Sequence, residues 1–200
     1  MKILAFSDLH LSHGHARALV TASDDADLVI GAGDFCNMRQ GLDDAMALLR
    51  DIDKPFVVIP GNAESAEELR AAANPNMVVL HGDATEIEGL SLFGLGYGVP
   101  PTPFGSWSCD LSEDAANQML SSCEAADILV LHSPPKGVCD VTSAGQSVGS
   151  VAIRDAIARI QPKLAVCGHI HDSWGKTGQI GQTNVVNLGP RANWFDIAGN

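Results

Sequence analysis

Short, almost wholly apolar runs alternate along this chain with amphipathic segments, and that alternation constrains the fold more than any other feature. Ile3 to Phe6, Leu28 to Ile30, Phe56 to Ile59, Ile128 to Leu131 and Leu164 to Cys167 carry no charge. Strands of that kind are buried on both faces, the condition of a largely parallel sheet covered by helices. The helices are expected over about 13–23, 42–49, 64–73, 111–123 and 151–160, where apolar residues recur at helical spacing. Asp43, Asp44 and Glu64 sit where the positive end of a helix dipole favours a carboxylate. Between 77 and 96 the texture changes. Runs at 77–80, 85–88 and 91–96, broken by Gly82-Asp83 and Gly89, predict an antiparallel meander. A last strand is expected over 183–187, with Asn187-Leu188-Gly189-Pro190 as a structural turn after it.

The chain has 200 residues, of which 46% are hydrophobic, enough for one sizeable core, and one domain is expected over 1–200. A net charge of −12 opposes binding to nucleic acid or to an anionic membrane, since both reward clustered Lys and Arg. No apolar run approaches bilayer-spanning length, and the opening run at 1–6 is too short for a secretory signal. The five cysteines are odd in number and lack close pairing, which fits a reduced, cytoplasmic setting with thiols acting as small apolar side chains. Phosphate chemistry in so acidic a chain requires cations to invert the local field.

Polar donors follow each apolar run. Asp8 and His10 follow the first, Asp34 the second and Asn62 the third; His132 follows 128–131, and His169 and His171 follow 164–167. Open α/β sheets place their binding crevice at these carboxyl ends of strands. Two histidines two apart share a face if the chain there stays extended. Alone, such a pair says little; seven oxygen and imidazole donors after successive strands describe a metal site. With no thiolate among them, the set suits Mn²⁺, Fe²⁺ or Zn²⁺ rather than Ca²⁺.

Asp8-Leu9-His10, Gly33-Asp34, Gly61-Asn62, His132 and Gly168-His169-Ile170-His171 resemble, in order, the motifs of the calcineurin-like metallophosphoesterases. The stretches from His132 to Gly137 and from Gly168 to Gly175 most resemble its small phosphodiesterase-like branch. The resemblance implies an α/β fold, a four-layer α-β-β-α sandwich with two facing mixed β-sheets. It also implies two divalent metal ions (Mn²⁺, Fe²⁺/Fe³⁺ or Zn²⁺), one held by Asp8, His10 and His171 and the other by Asn62, His132 and His169. Asp34 would bridge them, offsetting the repulsion of two cations about 3.5–4 Å apart. The implied reaction is hydrolysis of a small phosphodiester, cyclic nucleotides included, by in-line attack of a metal-bridging hydroxide, with Asp34, Asn62 and His132 nearest the chemistry. Alternatives are a phosphomonoesterase, a nuclease, or a non-catalytic metal-binding scaffold for partner proteins. The acidic surface weakens the nuclease, and retention of all seven donors speaks against the scaffold. Self-association is left open.

One position departs from the resemblance. The family commonly carries a histidine after the asparagine, but here the sequence is Gly61-Asn62-Ala63-Glu64. Ala63 donates no proton, and a general acid is typically worth about 10²–10⁴-fold. Glu64, His13, His15 and Lys136 are candidate substitutes, although Glu64 reads first as a helix-end charge and Lys136 as a solvated loop residue. His81 reads as a surface histidine and Cys167 as core. Substrate choice is expected from two long loops, 98–108 and 137–150.

Overall fold

The structure, a computed structural model, describes residues 1–198, so the last two positions of the expected 1–200 domain lie outside the described residues. The chain begins with β1 (Lys2–Phe6), α1 (His13–Ser23), β2 (Leu28–Gly31), α2 (Leu42–Leu48), β3 (Phe56–Val58), α3 (Ala66–Ala72) and β4 (Met77–Val79). It continues through β5 (Asp83–Ile87), β6 (Leu90–Leu95), α4 (Glu113–Leu120), β7 (Ile128–Leu131), α5 (Val151–Ile160) and β8 (Leu164–Cys167). Last come β9 (Thr177–Ile180), β10 (Thr183–Asn187) and β11 (Asn193–Asp196).

These strands build two mixed sheets. The first has the order β11-β1-β2-β3-β4, parallel except for the antiparallel edge strand β11. The second has the order β5-β6-β7-β8-β10-β9, with antiparallel strands at both edges. Side chains alternate between the two faces of each strand. Ile3 and Ala5 of β1 face inward to meet Leu92, Val130 and Val166 of the other sheet, while Leu4 and Phe6 face outward onto Ala16, Leu19 and Met46 of the helices. The second sheet repeats the scheme, with Leu129, Leu131 and Ala165 packed on Ala116, Leu120, Ile153 and Ile157 of α4 and α5. Three apolar layers thus separate helices, sheet, sheet and helices, the sandwich expected from the sequence.

Two details differ from expectation. The run at 77–80 does not join a meander: β4 pairs parallel to β3, with Val57 opposite Val78, because α3 returns the chain to the same end of the first sheet. The hairpin proper is β5–β6, turned by Glu88 and Gly89, both at positive φ (49° and 80°), as a tight hairpin requires. Strands β9 and β11 are additions to the expected set. They are edge strands whose alternate residues are exposed, so they lack an apolar run. Among the described residues no helix is long and apolar enough to cross a membrane.

Candidate metal centre

The parallel strands of both sheets end at one edge of the sandwich, and the seven expected donors follow them. The first sheet presents Asp8 and His10 after β1, Asp34 after β2 and Asn62 after β3; the second presents His132 after β7, and His169 and His171 after β8. Asp8, His10 and His171 form one cluster whose candidate ligand atoms all lie within 4.8 Å of one another, and Asp34, His132 and His169 form another. Asn62 joins the second group, its Oδ1 3.2 Å from His132 Nε2. Asp34 stands between the groups, with Oδ2 3.5 Å from His10 Nε2 and Oδ1 3.5 Å from His132 Nε2.

The extended geometry expected around His169 and His171 does not form. His169 has a φ of 67° and His171 opens a short 3-10 turn over His171–Ser173, so the two imidazoles part, one to each cluster. Asp8, His10 and Asp34 also adopt the left-handed region, at φ of 53°, 45° and 58°. Each such non-glycine residue costs about 1–3 kcal/mol, and strain of this kind collects at functional sites. Backbone bonds hold it: Asp8 N–H donates to the Gly33 carbonyl at 2.9 Å and His10 N–H to the Asp34 carbonyl at 3.0 Å. Two glycines give the room. A Cβ at Gly61 would collide with the Asp34 carboxylate, and one at Gly168 with Ser7 and Asp8.

Hydrogen bonds fix which ring nitrogens face inward. His132 Nδ1 lies 2.9 Å from the Ala32 carbonyl and His10 Nδ1 3.1 Å from the Cys36 carbonyl. A carbonyl only accepts, so both Nδ1 atoms carry a proton, and in the neutral rings, the form that binds metal, both Nε2 atoms present lone pairs. His10 Nε2 then meets His171 Nε2 at 3.3 Å. Asp8 is held from behind: its Oδ1 accepts from His169 N–H at 3.0 Å, and its Oδ2 from Trp174 Nε1–H at 3.0 Å and from the Ser7 hydroxyl at 2.5 Å. Burial pushes His169 down to about 3 and lowers His171 as well, so both are neutral, the form that binds metal. Burial also works against the charged form of His132, but the Asp34 and Asp8 carboxylates and the Ala32 carbonyl outweigh it and the net shift is upward. Lone pairs and carboxylate oxygens converging in two groups fit a pair of divalent cations, with Asp8, His10 and His171 around one and Asn62, His132 and His169 around the other.

The cavity between the groups has a volume of about 320 Å³ and is lined by His10, Asp34, Asn62, His169, His171 and the stacked rings of Phe104 and Trp107. None of the candidate substitutes for the family histidine is among these lining residues. Ala63 is buried, its N–H donating to Asp34 Oδ1 at 2.8 Å. His13 is exposed on α1, and His15 is paired with the Ser12 hydroxyl. Lys136 is not simply solvated: its ammonium donates to the Ser147 carbonyl.

Glu64 corrects the sequence reading most clearly. It is wholly buried, and Ser65, not Glu64, caps α3. Its Oε1 accepts from the N–H groups of Asp34 (2.8 Å) and Gly61 (2.7 Å), and its Oε2 from Phe35 N–H at 3.2 Å. One carboxylate therefore ties the loop of Asp34 to the loop of Asn62. Burial, together with the neighbouring Asp34 carboxylate, pushes Glu64 up to about 7. His81 is likewise not a plain surface residue; it is half-buried, accepts from Gly96 N–H at 3.2 Å and packs on Tyr97. Cys167 lies in the core as expected.

Other supports have little sequence signal. Asn187 donates through Nδ2 to the carbonyls of Gly168 (3.1 Å) and Ile170 (3.3 Å), holding the turn that separates the two histidines. Ser108 accepts from Asn62 Nδ2 at 3.1 Å and donates to Asp110 Oδ1 at 3.0 Å. Asn187 and Trp174 could have been suspected from the stretches around them, but nothing local marks Ser108.

Comparison with known proteins gives a consistent result. The family description "calcineurin-like phosphoesterase superfamily domain" matches residues 1–196. Human metallophosphoesterase domain-containing protein 1 is 32% identical over 133 residues, 64% of this chain and 38% of that protein, so the chain corresponds to little more than a third of that relative. Among solved structures, the TT1561 protein of Thermus thermophilus superposes with a TM-score of 0.76 at 18% identity, covering 98% of both chains. A dimetal phosphatase from Danio rerio superposes with a TM-score of 0.63 at 13% identity, covering 95% of this chain and 88% of the other. At these identities the structural likeness concerns the fold.

Proposed function

Because the chain belongs to the calcineurin-like phosphoesterase superfamily, we propose that it is a metal-dependent phosphodiesterase acting on small diesters, cyclic nucleotides included. The observation that carries the reading is the meeting of two donor groups on either side of Asp34. Two divalent ions there would supply Lewis acidity toward phosphate oxygens and lower the pKa of water to about 7. The choice among Mn²⁺, iron and Zn²⁺ rests with the donor chemistry, which accepts all three.

This chain's residues do the rest. Asp34, aimed by Glu64 and by Ala63 N–H, offers one carboxylate oxygen to each side of the centre. His10 and His132 present fixed lone pairs because their outer nitrogens are committed to carbonyls. Asn62 is turned inward by Ser108. Among the described residues lining the cavity there is no Lys or Arg. A monoester dianion would bring two charges with no cationic side chain to meet them, whereas a diester brings one. That favours the diester, and the wall of Phe104 and Trp107 favours a substrate with an organic arm to lay against it. With Ala63 in place of a proton donor, the leaving group departs without protonation by that position, so diesters of acidic alcohols react fastest.

The test sets an aryl phosphodiester against an aryl phosphomonoester, with and without Mn²⁺. Cleavage of the diester well above the monoester, dependent on metal and abolished in Asp34→Asn, is the expected result. The reverse order of substrates sinks the reading. Absence of hydrolysis together with unchanged metal content in Asp34→Asn removes the two-ion account altogether.

A further inference from the structure

The two long loops meet over a second cavity of about 430 Å³, within the range of about 300–1,000 Å³ usual for small-molecule sites. It adjoins the candidate centre directly, since Phe104 and His169 line both cavities. Val99, Pro100 and Pro101 come from one loop, Val148 from the other, and Ile170 from the segment between His169 and His171, so the walls are largely apolar. Lys136 is the one Lys or Arg among its described lining residues, and its ammonium is already tied to the Ser147 carbonyl at 2.5 Å.

The receptacle is held in shape before any ligand arrives. Asp140, buried beneath its loop, accepts from Gly137 N–H at 2.9 Å, Gly149 N–H at 2.8 Å and the Ser147 hydroxyl at 2.5 Å. On the other side, Val99 N–H donates to the Ser133 hydroxyl at 2.8 Å. A preformed pocket avoids much of the ordering cost of binding. Its rim is aromatic. Phe104, 50% exposed, stacks on Trp107 with an interplanar angle of 4° and meets the His169 ring edge-on at 6.3 Å.

Resting on the phosphodiesterase reading, we propose that this cavity is a substrate subsite that takes an aromatic ester arm while the phosphate lies at the candidate metal centre. His169 and Phe104 line both cavities, so a phosphate against His169 lies beside the apolar walls. An aromatic arm can pack there and lose its water, whereas a methyl arm leaves the cavity wet and gains almost nothing.

Calorimetric titration of the Mn²⁺-loaded protein with methyl(phenyl)phosphinate and dimethylphosphinate, non-hydrolysable monoanions like a diester, tests this without turnover. Methyl(phenyl)phosphinate is expected to bind about tenfold or more tightly than dimethylphosphinate. Val148→Trp, which fills the cavity, should bring the ratio of the two affinities close to one. Phe104→Ala, at an exposed position where misfolding is not an issue, should lower it severalfold. Equal affinities in the parent protein, or a ratio unmoved by both substitutions, overturn the subsite while leaving the phosphodiesterase reading intact. Failure of both phosphinates to bind would remove that reading and the subsite with it.

Discussion

A buried carboxylate with no cationic partner is costly unless strong donors surround it, and at Glu64 the donors are backbone N–H groups of the two loops that carry Asp34 and Asn62. Glu64→Gln keeps the shape but turns an amide NH₂ toward N–H groups that need acceptors. It should lower unfolding free energy by about 1–3 kcal/mol, measured by urea denaturation, and weaken Mn²⁺ binding by loosening both loops. Ser108→Ala removes the acceptor that orients the Asn62 amide while leaving the core untouched. Supporting groups of this kind typically contribute about 10–100-fold in metal affinity, so calorimetric Mn²⁺ titration should show one of two sites weakened and the other nearly unchanged. At this scale the sequence is legible for the donors and nearly mute about what aims them. Asp8, Asp34 and His132 stand out because polar residues directly after apolar runs are conspicuous. Glu64 misleads because a carboxylate just before a helix looks solvated, and two of its real partners, Asp34 and Phe35, lie about thirty residues away.

The elements that define the substrate cavity are loops, and the 137–150 loop depends on Asp140. Burial works against this carboxylate, yet bonds from Ser147, Gly137 and Gly149 outweigh it and hold its pKa below the ordinary 3.8. A folded-state pKa below the unfolded value means that the contribution is complete above about 3.8 and is lost as pH falls through the folded-state value. Protection against hydrogen exchange at Gly137 and Gly149, taken relative to the intrinsic rate at each pH, should therefore fall on acidification through that window, ahead of the sheets. Asp140→Asn should abolish this acid sensitivity and cost about 1–3 kcal/mol at neutral pH; an unchanged exchange profile would contradict the role given to Asp140. Elements with continuous apolar runs are readable from sequence in type and order, because burial on both faces leaves no ambiguity of period. The pairing of β4 is not, since a three-residue run does not specify which sheet it joins. Nor are β9 and β11, because an edge strand with one wet face needs no apolar run.

For the whole molecule, the candidate centre is a joint between two sheets. Asp8, His10, Asp34 and Asn62 come from one and His132, His169 and His171 from the other, and an apolar layer that includes Ile3, Val57, Leu92 and Val130 packs between the sheets. Ions bound there would pin the sheets together at one edge and raise the melting temperature in proportion to the logarithm of free metal. The assembly also has a history in time. The bond from His169 N–H to Asp8 spans 161 residues and that from His132 to the Ala32 carbonyl spans 100. No early fragment of the chain can bring such partners together, and contacts this distant in sequence form late and slowly. The complete candidate centre therefore forms only once both sheets have closed on each other. Mn²⁺ should leave the refolding rate nearly unchanged and slow unfolding, which stopped-flow measurements at varied metal concentration will separate. Metal capture at such a centre would then be a seal on a finished molecule, selecting chains that have already folded rather than guiding them there.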